Sequence, residues 1–486
     1  MSLEEKDLEA VKIDSEVTST TSEKFQDLQP TPSDSPADPL NWPAWKKNVV
    51  LYIASIHAMQ GPFTAALVIP SFQLFAEEFR LTLTQATYIA SIQIICLGVF
   101  PLFWSPLASR IGRRPIYLIS ALGSAVFTLA AGFVHSYGAL LAVRALQAAF
   151  ISVAMSLGGS TVNDMFFAHE KGRKMGVWVL FVTLSPCVGP LVVGYLVQKH
   201  GWRSSFYLAA PIHLALFFAH LFFAPETLYL NRRAPGEGYD PKEVEEQQGW
   251  SSYFVFKIID PAPLTLLDFC RPLLMVFRPL VALPALAYAI NFAYTNVLMT
   301  ILIPQVYGEK FHFGPGQISL QFIPLIIGSV LGEQLAGYGS DVIANWRTRR
   351  VGRRIPEFRL ALAVPGFAIS IIGVVVWGIQ LQNAKPGKWN VTPDVASAIG
   401  LFGEQVVATV CVTYAIENYV PETLDVAAFF AFVRQAYAFG APFYFSPMYI
   451  RYGDTKASGL LAGIIAIAFL MVMSCYILGP MVRNRK

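Results

Sequence analysis

Twelve apolar runs, each long enough to cross a bilayer as a helix, divide this chain. They constrain the fold more than any motif does. A hydrocarbon core about 30 Å thick takes roughly 20 residues at 1.5 Å per residue. The runs begin near Asn48, Gln85, Pro115, Tyr137, Met175 and Ser205, the last ending near Ala224. Six more begin near Leu280, Ile318, Leu360, Val395, Leu424 and Ser458, ending near Pro480. Twelve spans of roughly 20 residues occupy about half of the 486 residues, in line with a hydrophobic share of 54%. Charged residues make up 14%, well below the roughly 25% of soluble chains, which rules out a soluble globule. The expected fold class is all-α integral membrane, two pseudo-symmetric six-helix bundles with about twelve transmembrane helices.

The polar segments divide the rest. Residues 1–46, rich in Glu, Asp, Ser, Thr and Pro at the start, read as a disordered cytosolic tail, without the basic and apolar pattern of a cleaved signal peptide. Residues 47–224 form the first bundle, 225–278 a cytosolic linker, 279–480 the second bundle and 481–486 a cytosolic tail. Lys and Arg set the orientation, because short cytoplasmic loops keep the positive excess. Lys46, Lys47, Arg110, Arg113, Arg114, Lys171, Arg173, Lys174 and the group from Arg347 to Arg359 share one side with both termini. The opposite side carries only scattered cations such as Arg80, Lys199 and Lys310. Both termini are therefore expected in the cytoplasm. The sequon at Asn390 falls in a loop expected outside, a glycosylation candidate whose use Pro393 disfavours. A net charge of +4 with cations in short clusters leaves no footprint for nucleic acid. Five scattered cysteines fit neither a disulfide framework nor a zinc site.

The two halves echo each other. Ser105-Pro-Leu-Ala-Ser109-Arg-Ile-Gly112-Arg-Arg-Pro115 follows the second run, and Gly337-Tyr-Gly-Ser-Asp341 follows the eighth. Halves of this kind, enclosing a site near the midplane, are a recurrent solution for carriers. The first stretch resembles the loop between spans two and three of the major facilitator superfamily, with Arg110, Gly112, Arg113 and Arg114 matching and Ser109 in the place of the acid. The resemblance implies a cytoplasmic latch, for which Asp341 is the second-half candidate. Arg144-Ala-Leu-Gln147 is similar to the fourth-span pattern, and Asp164 to the acid at that helix's cytoplasmic end. Ser185-Pro-Cys-Val-Gly189-Pro190-Leu-Val-Val-Gly194 resembles the fifth-span motif of drug:proton antiporters. With Asn41-Trp-Pro43 and Gly201-Trp-Arg203, the whole resembles the fungal twelve-span drug:proton antiporter branch.

Ionisable groups inside apolar runs mark candidate sites, since a buried charge is expensive unless it is partnered or faces a polar cavity. Arg144, Glu404, Arg434 and His57 are the proton-coupling candidates, and the resemblance implies that role for Arg144. Snorkelling is the alternative for Arg144, an ion pair for Glu404 with Arg434, and hydrogen-bonded packing for His57. Ser185, Gly189, Pro190 and Gly194 form a gating candidate, because a proline removes a donor and glycines permit close helix approach. The amides of Gln93, Asn291, Asn296 and Gln321 are candidates for the substrate cavity, with helix-to-helix hydrogen bonding as the equal alternative.

No nucleotide-cradling G-x-x-x-x-G-K-[S/T], no H-E-x-x-H and no C-x-x-C occurs, so neither a cofactor, a metal nor enzyme chemistry is expected. The function expected is secondary active transport: export of a drug, toxin or secondary metabolite in exchange for protons. Proton-coupled uptake of a nutrient or organic cation, and a non-transporting sensor, are the rivals. The expected partners are the small-molecule substrate, protons and the lipid bilayer. The chain is expected as a monomer in the plasma membrane, with the vacuolar membrane as the alternative.

Overall fold

Every regular element among the described residues of the computed structural model is helical; those residues are 32, 33, 35, 36, 38–229, 264–351, 356–419 and 422–483. Most of the expected N-terminal tail and the middle of the linker lie outside them, as does the side chain of Asp341. Among the described residues eleven spans are long and apolar enough to cross a bilayer: α1 (Ala44–Phe79), α2 (Leu83–Ile111), α3 (Arg113–Gly132), α4 (Tyr137–Met165), α5 (Arg173–His200), α6 (Arg203–Phe223), α7 (Pro279–Phe311), α8 (Pro315–Ser340), α9 (Glu357–Asn383), α10 (Thr392–Asn418) and α12 (Asp454–Met481). The twelfth, α11, is Thr423–Gly440 followed by Pro442–Tyr452, bent by 43°. The bend falls at Pro442, which has no N–H to continue the helix. α7 contains a π-helical turn over Ala293–Val297.

Local chemistry explains the boundaries. Thr82 and Gln85 form a reciprocal capping box at the start of α2, with bonds of 3.2 and 2.9 Å. Gly112, at φ 105°, is the single residue between α2 and α3, a backbone conformation that side chains with a Cβ rarely adopt. Gly201, at φ 75°, turns α5 into α6 in the same manner.

Within the first bundle α1 packs on α5, α3 on α6 and α2 on α4; within the second, α9 and α8 pack on α10, and α7 on α11 and α12. Lipid offers no hydrophobic drive for helix association, so small residues set the approach. A Cβ at Gly373 of α9 would strike the Cα of Gly400 on α10, and one at Gly403 would lie 2.6 Å from the carbonyl oxygen of Gly366. Large apolar side chains point outward at helical spacing, as Leu122, Val126 and Leu129 do on α3 and Ile467 and Leu470 on α12.

The bundles meet along two seams, α2 with α11 and α5 with α8. Twelve spans bring both described ends to one face, here the terminal side. On the opposite, far side the bundles touch directly: Gly316 N–H donates to Gln198 Oε1 at 3.2 Å, and Gln73 packs on Gly308. The terminal side carries two matching ion pairs, one per bundle. Arg113 Nε lies 2.8 Å from Asp164 Oδ2, and Arg359 Nε 3.0 Å from Glu417 Oε1. In each, an arginine starting the bundle's third helix meets an acid near the end of its fourth. Glu226 accepts from the backbone N–H groups of Arg113 and Arg114 at 3.1 and 3.0 Å, an anion at a helix N-terminus.

Candidate functional site

A cavity lies between the bundles, and each bundle supplies half its lining. The two walls differ in chemistry. The first bundle presents Pro62, Ala65, Ile69, Ile94, Leu97 and Val182, with Thr183 as its single polar lining residue. The second presents Glu404, Gln405, Arg434, Gln435, Asn296 and Tyr288.

Glu404 is 1% exposed, and its Oε2 has no hydrogen-bond partner. Arg434 Nη1 donates to the Tyr288 hydroxyl at 3.1 Å, its guanidinium covers the Phe292 ring at 5.1 Å, and its Nε is unpartnered. Glu404 and Arg434 sit in each other's field, yet among the described residues they form no ion pair, contrary to the pairing considered from sequence. Glu333 differs, since its Oε2 already accepts from Gln405 Nε2 and Thr409 Oγ1, both at 2.9 Å. Gln405 also donates to Thr183 Oγ1 at 3.1 Å, a bond that crosses from α10 to α5 and ties the bundles together at the cavity.

Arg144 lies behind the first bundle's wall and is fully buried, so it does not snorkel. It donates to Gln147 Oε1 and to the Thr64 carbonyl, both at 2.8 Å, and covers Phe206 at 5.6 Å. The first helical segment of α1 ends at Ala66, which leaves the Thr64 carbonyl among the unpaired acceptors of a helix terminus. Arg144 satisfies it and holds α1 in place where Pro62 and Ala65 line the cavity.

His57 lies inside the first bundle and is not part of the cavity lining. Its Nδ1 is 3.0 Å from His220 Nε2, and its Nε2 is 3.3 Å from Ser120 Oγ. Ser120 donates to the Phe150 carbonyl at 2.6 Å, which leaves its lone pair to accept from His57 Nε2–H. His57 Nδ1 then accepts from His220, whose ring stacks on Tyr117 at 4.6 Å. The sequence reading missed His213 and His220. Their signal was a spacing of seven residues, which places both on one face of an apolar helix.

Of the four amides expected at the cavity, Asn296 alone lines it, presented from the π-helical turn. Gln93 donates to Thr64 Oγ1 at 2.5 Å, Asn291 to Ser370 Oγ at 3.3 Å and Gln321 to the Gln317 carbonyl at 3.1 Å. Those three join or brace helices. Gln405 and Gln435, not singled out from sequence, take the cavity places.

The fifth-span residues face two partners. Ser185 donates to the Met59 carbonyl, and a Cβ at Gly189 would lie 2.7 Å from the Phe63 carbonyl oxygen, so both press α5 against α1. Gly194 instead presses α5 against Ser319 and Pro315 of α8, across the seam. Pro190 lies inside the helix between these contacts, one turn beyond Pro186 at the cavity wall.

Among the loop residues, Arg110 Nη2 lies 4.0 Å from Asp268 Oδ2 of the linker, and Arg114 Nη2 donates to the Leu221 carbonyl at 2.8 Å. Gly112 makes the turn, and Arg113 with Asp164 the ion pair. Asn390 is exposed on the far side, its Oδ1 accepting from Thr392 N and Oγ1 at 3.1 and 2.6 Å.

Comparison with known proteins follows the same lines. A family model described as Major Facilitator Superfamily matches residues 58–435. The chain is 28% identical to a probable efflux pump of Aspergillus flavus, over 82% of this chain and 93% of that one. It is 26% identical to a cycloheximide resistance protein of Candida maltosa, over 93% of this chain and 84% of that one. The crystal structure of the human organic anion transporter TETRAN superposes with a TM-score of 0.58 at 14% identity, covering 89% of this chain and all of the other, a likeness of fold.

Proposed function

The chain belongs to the Major Facilitator Superfamily, a family of multi-pass membrane transporters, and from that premise we propose that it exports a small organic compound in exchange for protons. The observation that carries this reading is the unpartnered carboxylate of Glu404 in a cavity shared by both bundles. A buried carboxylate exchanges a proton against its surroundings, so whatever else enters the cavity alters that exchange. Substrate and proton then compete for one wall. The α5–α8 contact and the bond of Gly316 to Gln198 join the bundles on the far side, which supports loading from the terminal side. Rocking of the bundles that parts α5 from α8 exposes the cavity to the far side.

The names of the relatives, an efflux pump and a drug-resistance protein, support the outward direction. Cation-rich loops on the terminal side support placing both termini in the cytoplasm; in this reading the protein is a monomer of the plasma membrane. Bundles of residues 47–224 and 279–480 are the moving units in this reading, with the arginine loops and their acids as the terminal-side latch.

Flux of rhodamine 123 in proteoliposomes under an imposed pH gradient tests the reading. Exchange requires dye and protons to move in opposite directions, and Glu404→Gln abolishes the response to the gradient. Movement of dye and protons in the same direction would establish uptake instead, and an unchanged gradient response in Glu404→Gln would remove Glu404 from the mechanism.

A further inference from the structure

We propose that the cavity selects ampholytes: largely apolar molecules that carry both a cationic or strongly donating group and an anionic group. The inference rests on the transport reading above and adds the chemical class of the cargo. One wall of the cavity holds charges of both signs, and each keeps an unfilled bonding position. Glu404 Oε2 and Arg434 Nε are both unpartnered, while Glu333, the other carboxylate of this sector, is already held by Gln405 and Thr409. Since Glu404 and Arg434 do not satisfy each other, a ligand with a single charge relieves one and faces repulsion from the other. A cation on Glu404 lies beside a guanidinium, and an anion on Arg434 lies beside a carboxylate. An ampholyte meets both with charge-assisted hydrogen bonds, the strong class of such bonds.

The opposite wall sets the shape of the rest. The side chains of Pro62, Ala65, Ile69, Ile94, Leu97 and Val182 are apolar, and Thr183 already accepts from Gln405. A ligand therefore lays its apolar face on the first bundle and its polar edge on the second.

Three xanthene dyes of one skeleton separate the charge classes: rhodamine 110, with carboxylate and cation; rhodamine 123, its methyl ester, a cation; and fluorescein, an anion. Fluorescence polarisation with purified protein in nanodiscs of neutral lipid gives their affinities without requiring transport. The wild type is expected to bind rhodamine 110 about tenfold tighter than either relative, the worth of one extra hydrogen bond to a charged group. Glu404→Gln should erase the advantage over fluorescein, and Arg434→Gln the advantage over rhodamine 123. The ranking in the wild type decides the matter even if a variant fails to fold. Equal binding of rhodamine 110 and rhodamine 123, equal binding of all three, or no binding of rhodamine 110 at any attainable concentration overturns the proposal. The expected ranking in a protein that moves no dye under a pH gradient would sink the export reading and leave this one standing.

Discussion

Replacing Gly194 with alanine tests how the far side is held shut. A Cβ at this position collides with Cβ and Oγ of Ser319 and lies 2.7 Å from the Pro315 carbonyl oxygen, which belongs to the backbone and cannot swing aside. Overpacking of this kind costs about 1–3 kcal/mol. The clash exists only while α5 and α8 are together, so the whole cost falls on the far-side-closed form. A coupling of that size moves a two-state equilibrium about 5- to 150-fold. Pulsed electron paramagnetic resonance between spin labels on Gly138→Cys and Gly459→Cys reads the change, since both glycines lie near far-side helix starts, one per bundle, with open space beside them. The exposed Cys270 is first replaced by serine; the other four cysteines are buried. Gly176→Ala is the control, because it sits on the same helix with nothing within 4 Å. Gly194→Ala should add a long-distance population that Gly176→Ala lacks. An unchanged distance distribution would mean that this contact does not close the far side.

The other predictions concern the layers behind the cavity. Arg144→Ala leaves the Thr64 carbonyl and Gln147 Oε1 without their donor, and hydrogen bonds to charged groups are worth about 1.5–3 kcal/mol each, so thermal unfolding in detergent should shift clearly downward. Arg144→Lys should recover only part, since an ammonium does not reproduce the planar fork, and a wild-type midpoint for Arg144→Ala would contradict the bracing role. His220→Phe removes the donor to His57 Nδ1 and is expected to lower stability while leaving the pH profile of transport in place; a displaced profile would make the histidine pair part of proton coupling. Gln405→Ala cuts the bond to Thr183 between the bundles and one of the two side-chain bonds to Glu333. Accessibility of cysteines placed on the inner halves of α5 and α10 should therefore rise, and equal labelling rates in variant and parent would show that the bond holds nothing closed.

Much of the architecture was legible in the chain because a bilayer leaves so few solutions. A run of about 20 apolar residues has to satisfy its own backbone, so span number follows from hydropathy. Gly112 and Pro442 make a turn and a break for backbone reasons that act within a few residues, although the sequence reading did not single out either as such. Arg144 and Glu404 stood out because charge is rare in such runs. Which face each polar residue turns inward was another matter. Gln93 and Gln435 are both amides in apolar helices, yet one is spent on Thr64 and the other lines the cavity, and only the rotation of each helix against its neighbours separates them. Likewise Arg144 was conspicuous in sequence, but its partner is the carbonyl of Thr64, eighty residues earlier, and any residue type carries a carbonyl. Glu404 and Arg434 left an ion pair and a proton-coupling role both open in sequence, whereas in the fold they line one cavity without pairing. The chain by itself determined that there would be twelve helices in two halves, through the solvent's demand on the backbone; the tertiary structure decided where those halves would be polar, because that depends on which helix faces meet.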